Sequence, residues 1–167
     1  MKDIKVLVVY YSFEGNTRFI AETVASEVNA DLLELKPVKE IQGHGFMKYI
    51  WGGRQVVLKT KPELVPFEQK PEEYDLIFIG TPVWAFTFAP PLNTFLSDVH
   101  LSGKKIALFC CDEGGLGKTF THFTERLTGN QIISQMEFLA PLKKEQRSSA
   151  AAAREWAGKV IEMATNS

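Results

Sequence analysis

Five short apolar segments set the frame of this chain: IKVLVVYYS (4–12), ADLLELK (30–36), YDLIFIGT (74–81), KKIALFCC (104–111) and NQIISQMEFL (130–139). They are rich in β-branched and aromatic residues, and most are too continuously apolar to leave one face in water. Strands of that kind belong in a parallel sheet covered on both sides. Helical periods lie between them. Ile20, Ala21, Val24, Ala25 and Val28 recur at helix spacing from Thr17 onward, and Ala153, Trp156, Ala157, Val160, Ile161 and Ala164 do so from Ser149, with the serines of SSAAAA as possible caps. APPLNTFLSDVH opens with prolines at the start of a further helix, where a missing N–H costs nothing. The alternation predicts an α/β fold, a doubly wound five-stranded parallel sheet with helices on both faces, built as a single domain over residues 1–167.

Charge and cysteine usage narrow the function. With Lys+Arg 19 against Asp+Glu 20 the net charge is −1, so there is no basic footprint for nucleic acid. The apolar run near the N-terminus is too short for a signal segment or a membrane span, which predicts a cytoplasmic protein with no membrane partner. Cys110 and Cys111 are adjacent and lack zinc-ligand spacing, so they read as small core residues. His44, His100 and His122 are scattered, with no carboxylate or cysteine at ligand spacing; solvated or helix-end positions are expected, with no metal site and no Ser-His chemistry. GFMKYIWGGRQVVLK (45–59), inside the long connection from Pro37 to Pro71, can form a helix carrying Phe46, Tyr49, Ile50 and Trp51. Its aromatic residues suit either packing on the sheet or a lid or partner surface.

FCCDEGGLGKTF (109–120) ends in Gly-Lys-Thr after a strand, as a nucleotide-triphosphate loop does. The first glycine of such a loop falls on Asp112, whose carboxylate and Cβ oppose both the phosphate and the required backbone curl. That reading fails. The loop after the first strand is a better anion site, since YSFEGNTRF places Ser12, Gly15, Asn16 and Thr17 at the start of a helix. Hydroxyls, an amide, a glycine and a helix N-terminus make a cradle for a phosphate monoester, and only Arg18 stands nearby as a cation. A receiver-like signalling module would need acidic residues just after this strand, where Tyr10-Tyr11-Ser12 has none.

Ser-x-x-Gly-Asn-Thr after an N-terminal strand resembles the phosphate loop of the flavodoxins and related flavin reductases, and the resemblance extends over nearly the whole chain. It implies the flavodoxin-like strand order 2-1-3-4-5 and bound FMN; FAD is disfavoured because no adenine site is evident. Carried over, it assigns phosphate contacts to Ser12, Glu14, Gly15, Asn16 and Thr17. It puts Thr81, Pro82, Val83, Trp84 and Ala85 at the flavin ring, and Asp112, Glu113, Gly114 and Gly115 along the ring edge, with Gly-Lys-Thr only starting the next helix. Flavodoxins often carry Thr or Ser where this chain has Glu14, whose carboxylate must then point outward and leave its backbone N–H as the contact.

Two functions fit this resemblance. One is an electron carrier serving redox partner proteins; the other is an NAD(P)H-dependent reductase of quinones or similar small acceptors, working as a monomer or a homodimer. Neither needs a protein acid, base or nucleophile, so no catalytic residue is named. Near-neutral charge and a third loop without an aromatic favour the reductase, while the short chain favours the carrier. No glycine lies between Gly80 and Gly103. Turning a peptide at Trp84-Ala85 or Ala85-Phe86 is therefore expected to put a side-chain-bearing residue at positive φ, at ~1 to 2 kcal/mol, and to support the one-electron state of the flavin only weakly.

Overall fold

The computed structural model describes residues 3–39 and 59–166. The expected helix over 45–59, apart from its last residue Lys59, and His44 lie outside the described residues. The elements run β1 (Val6–Tyr10), α1 (Asn16–Val28), β2 (Asp31–Glu34), a 3-10 turn (Pro71–Glu73), β3 (Leu76–Trp84), β4 (Thr87–Phe88), α2 (Pro90–Asp98), β5 (Lys105–Asp112), α3 (Thr119–Arg126), β6 (Gln131–Leu139) and α4 (Gln146–Thr165). The sheet order is β2-β1-β3-β5-β6, and β4 pairs with β3 off this path. Leaving out that short hairpin strand, this is the expected 2-1-3-4-5 parallel order. Pairing is parallel throughout the main sheet, with Val6 opposite Leu76 and Ile77 opposite Ile106.

The period of two along each strand sorts the core into two layers. Val6, Val8, Phe78, Ala107, Phe109 and Phe138 face α1 and α4, meeting Ile20, Val24, Trp156 and Val160. Leu7, Val9, Ile77, Ile79, Ile106 and Leu108 face the other way, onto Leu92 and Phe95 of α2 and Phe123 of α3. Adjacent strand positions point to opposite faces, so Cys110 and Cys111 do too; both are free and buried. Burial pushes both thiols up, Cys111 to about 12, which leaves them protonated and inert.

Two details depart from the sequence reading. β2 and β6 are wetter than the inner strands because they are the edges of the sheet. α4 begins at Gln146, before Ser149, and the serines lie inside its first turn, where Ser148 Oγ bonds back to Glu145.

Candidate functional site

In an open parallel sheet the ligand crevice lies beyond the carboxyl ends of the strands, where the winding reverses. Here that point lies between β1 and β3, and the loops after β1, β3 and β5 converge on it. Two clefts elsewhere do not compete as sites on this rule. One of about 430 Å³ sits at the amino ends of β1 and β2, around Lys5, Asp31 and Tyr74; another of about 370 Å³ lies between residues 63–67 and α2.

The loop after β1 has the features an anion site needs. Ser12 Oγ accepts the Gly15 N–H at 3.2 Å, and Gly15 turns the chain at φ 96 into α1. No side chain caps α1, so the N–H groups of its first turn stay available to an anion. Thr17, the second residue of the helix, is 1% exposed, and its Oγ1 has no hydrogen-bond partner among the described residues. A buried orphan hydroxyl beside an uncapped helix end is the mark expected of a site that holds an oxyanion. The Glu14 side chain is 59% exposed and turned out toward Lys143, as its carboxylate requires. Arg18 does not serve the cradle. Its guanidinium pairs with Glu34 on β2 and contacts Tyr10, which together hold it firmly protonated.

The loop after β3 is a two-residue hairpin. Trp84 pairs with Thr87, leaving Ala85 (φ 48) and Phe86 (φ 63) as its tip. Two positive φ angles in succession are the signature of a type I′ turn, whose twist matches that of the flanking strands. Expecting no glycine and a cost for a positive φ was sound, but the conformation already stands in this structure. Its cost is therefore already carried by this conformation. The third loop holds the tip in place: the Lys118 N–H donates to the Phe86 carbonyl at 2.9 Å, and a Cβ on Gly117 would come within 2.4 Å of the Phe86 Cβ. Only glycine fits there.

Thr81 lies at the root of the hairpin and is fully buried. Its hydroxyl donates to the Pro82 carbonyl at 2.8 Å and accepts the Ala89 N–H at 2.9 Å, closing the loop rather than facing outward. Pro82, Val83 and Ala85 are half-buried along the loop. Trp84 is wedged edge-to-face against Tyr11 and Phe13, both with centroids at 5.6 Å, so the phosphate loop and the hairpin share an aromatic joint. His122 is not at a solvated helix end. It is 8% exposed inside α3, with Nδ1 at 2.7 Å from Thr87 Oγ1, and so ties α3 to the short β4.

In the loop after β5, Asp112 acts as an internal brace. Its Oδ1 accepts the N–H groups of Gly114 and Gly115, both at 3.0 Å, curling the loop so that backbone is presented. Glu113 points outward. Among the described residues Asp112 Oδ2 is buried and meets no N–H or hydroxyl donor. Glu137 on β6 supplies one when it holds a proton: its hydrogen bond to Asp112, then partial desolvation of an otherwise exposed side chain, hold the Glu137 carboxyl up to about 7. Gly-Lys-Thr starts α3, with Lys118 at the N-cap.

Sequence reading missed Lys143, Leu142 and Ala140, which follow β6. Leu142 N–H donates to Asn16 Oδ1 at 3.0 Å, and Lys143 pairs with Glu113 and stands 3.9 Å from Glu14. Nothing local in PLKK signals this, since Leu142 meets a partner 126 residues away in sequence and Lys143 meets Glu14, further still.

An uncapped helix end with an orphan hydroxyl, joined to a hairpin platform and a glycine-rich backbone edge, fits a ligand with a phosphate monoester at one end and a flat ring system at the other. Such a site in this fold defines a flavodoxin-like flavoprotein. The chain belongs to the flavodoxin family, whose model matches residues 5–137. A flavoprotein from Lactobacillus acidophilus, solved in complex with FMN, is 27% identical; the match covers 87% of this chain and all of that one, with a TM-score of 0.70. Oxidised flavodoxin 2 from Bacillus cereus shares the fold at 22% identity and a TM-score of 0.61, covering 95% of this chain and 99% of its own. An uncharacterised protein of Archaeoglobus fulgidus is 25% identical over 142 residues, covering 84% of this chain and 87% of that protein. Among the described residues no helix is long and apolar enough to cross a membrane, and no cluster of His, Cys, Asp and Glu could hold a metal ion.

Proposed function

We propose that this protein binds FMN and carries electrons through it between partner redox proteins. Ser12, the Glu14 and Gly15 backbone, Asn16 and Thr17 hold the phosphate. Residues 81–85 and 112–115 flank the ring. Bound FMN supplies the one- and two-electron chemistry, and the protein supplies binding, orientation and a fixed electrostatic setting. The observation that carries the reading is the joining of all three loops into one braced platform at the open carboxyl edge of the sheet. Lys118 N–H bonds the third loop to the Phe86 carbonyl, while Trp84 packs on Phe13. Phe86 and Phe13, 64% and 44% exposed, rim the platform with apolar surface on which a partner can dock near the ring.

A second reading, the NAD(P)H-dependent reductase of small acceptors, is favoured by one feature. Side chains placed on Gly114 or Gly115 would meet no neighbour within 4 Å among the described residues, so the third loop leaves space where a nicotinamide or quinone could lie over the ring. The visible spectrum of the purified full-length protein, followed by addition of NADH or NADPH, separates the two. A carrier stays yellow until a separate flavodoxin reductase is added. Bleaching by the nicotinamide alone replaces the carrier by the reductase, and failure to retain or bind FMN refutes both.

A further inference from the structure

The cradle is short of positive charge. Ser12, Gly15, Asn16 and Thr17 are neutral, Glu14 is acidic, and Arg18 is committed to Glu34. A phosphate monoester brings about 1.5 to 2 negative charges near neutral pH. The neutral donors solvate that charge but do not balance it.

The turn after β6 places a cation at this point. Ala140 is buried and held at φ 41, a strained setting for a residue with a Cβ. Its N–H donates to the Asp112 carbonyl at 2.8 Å, and its own carbonyl accepts the N–H groups of Lys143 at 2.9 Å and Lys144 at 3.0 Å. This pinned turn lays Leu142 on the phosphate loop. The Leu142 N–H bonds Asn16 Oδ1, and its Cδ1 lies 3.4 Å from where a Gly15 Cβ would stand. Lys143 follows directly, with Nζ between Glu113 of the third loop and Glu14 of the cradle. The hydrogen bond it donates to Glu113, with the charges of both carboxylates, keeps its ammonium protonated.

We propose that Lys143 is the counter-charge of the phosphate cradle and makes the site selective for FMN over riboflavin, which lacks the phosphate. Flanked by Glu113 and Glu14, it offsets part of the repulsion that these carboxylates would otherwise exert on the anion, from a turn anchored on both flanking loops. An ion pair this exposed contributes little to the fold by itself, so its effect belongs in flavin selectivity rather than in stability. Exposure also makes the effect sensitive to salt. The proposal rests on the reading of the β1 loop as the phosphate site.

FMN and riboflavin are titrated into the flavin-free full-length protein by quenching of flavin fluorescence, at low and high salt. The parent is compared with Lys143→Gln, Lys143→Arg and the double variant Glu14→Gln/Lys143→Gln. At low salt Lys143→Gln weakens FMN about twofold to fivefold and leaves riboflavin nearly unchanged, and high salt closes the gap. Lys143→Arg retains FMN affinity, and the double variant recovers part of the loss. Unchanged FMN affinity in Lys143→Gln overturns the proposal, as do equal losses for both flavins or a loss that arginine does not rescue. If the phosphate-site reading itself is wrong, Thr17→Val also fails to separate FMN from riboflavin. If only the role of Lys143 is wrong, Thr17→Val still separates them.

Discussion

Replacing Thr17 by valine should move two properties in opposite directions. The Thr17 hydroxyl is buried with no hydrogen-bond partner among the described residues, its close polar companion being the Cys111 thiol. An unsatisfied buried hydroxyl costs about 1 to 3 kcal/mol, and the thiol, a weak acceptor, relieves part of this. Valine exchanges the hydroxyl for a methyl of similar shape, so the flavin-free protein gains about 1 kcal/mol, or about 2 to 4 °C in a domain of this size. FMN affinity falls instead. A hydrogen bond to a charged group is worth about 1.5 to 3 kcal/mol, which is a loss of roughly tenfold to hundredfold. Thermal unfolding of the flavin-free variant and fluorescence titration with FMN measure the two effects. If Thr17→Val lowers the unfolding midpoint and binds FMN within about twofold of the parent, the hydroxyl serves the core and the cradle is misassigned.

Two further outcomes test the other loops. Ala85→Gly removes a positive-φ cost of about 1 to 2 kcal/mol and adds a glycine entropy cost of about 0.5 to 1, so it raises the midpoint of the flavin-free protein by about 1 to 3 °C; a lowered midpoint means the hairpin tip is not strained. Because the folded state holds the Glu137 proton more tightly than the unfolded chain, that contribution is full below the ordinary carboxyl value of 4.5 and is lost as pH rises through about 7. Denaturant unfolding across this range should show the parent losing stability while Glu137→Gln, with a permanent amide donor toward Asp112, does not; parallel profiles would show that the carboxyls do not share a proton.

The strands and the covering of the sheet on both faces were legible because apolar periodicity is a local property, whereas the strand order came from the resemblance to the flavodoxins. Val6 to Tyr10 and Leu76 to Ile79 read as buried strands wherever they occur, and α1 and α4 announce their inner faces by spacing alone. The turn from Ser12 into α1 was legible for the same reason, since Ser12 to Thr17 are contiguous. The roles of single side chains were not legible. Asp112 and Thr81 sit where site residues were expected, yet both turn inward to brace their loops. That choice depends on which backbone N–H groups the folded loop brings near, and sequence spacing does not encode it. His122 looked like a helix-end residue until β4 paired with β3 and placed Thr87 against its ring. Lys143 lay furthest out of reach. Its meeting with Glu14 and Glu113 exists only because parallel strands return every strand end to the same edge of the sheet, which brings together residues that the chain keeps far apart.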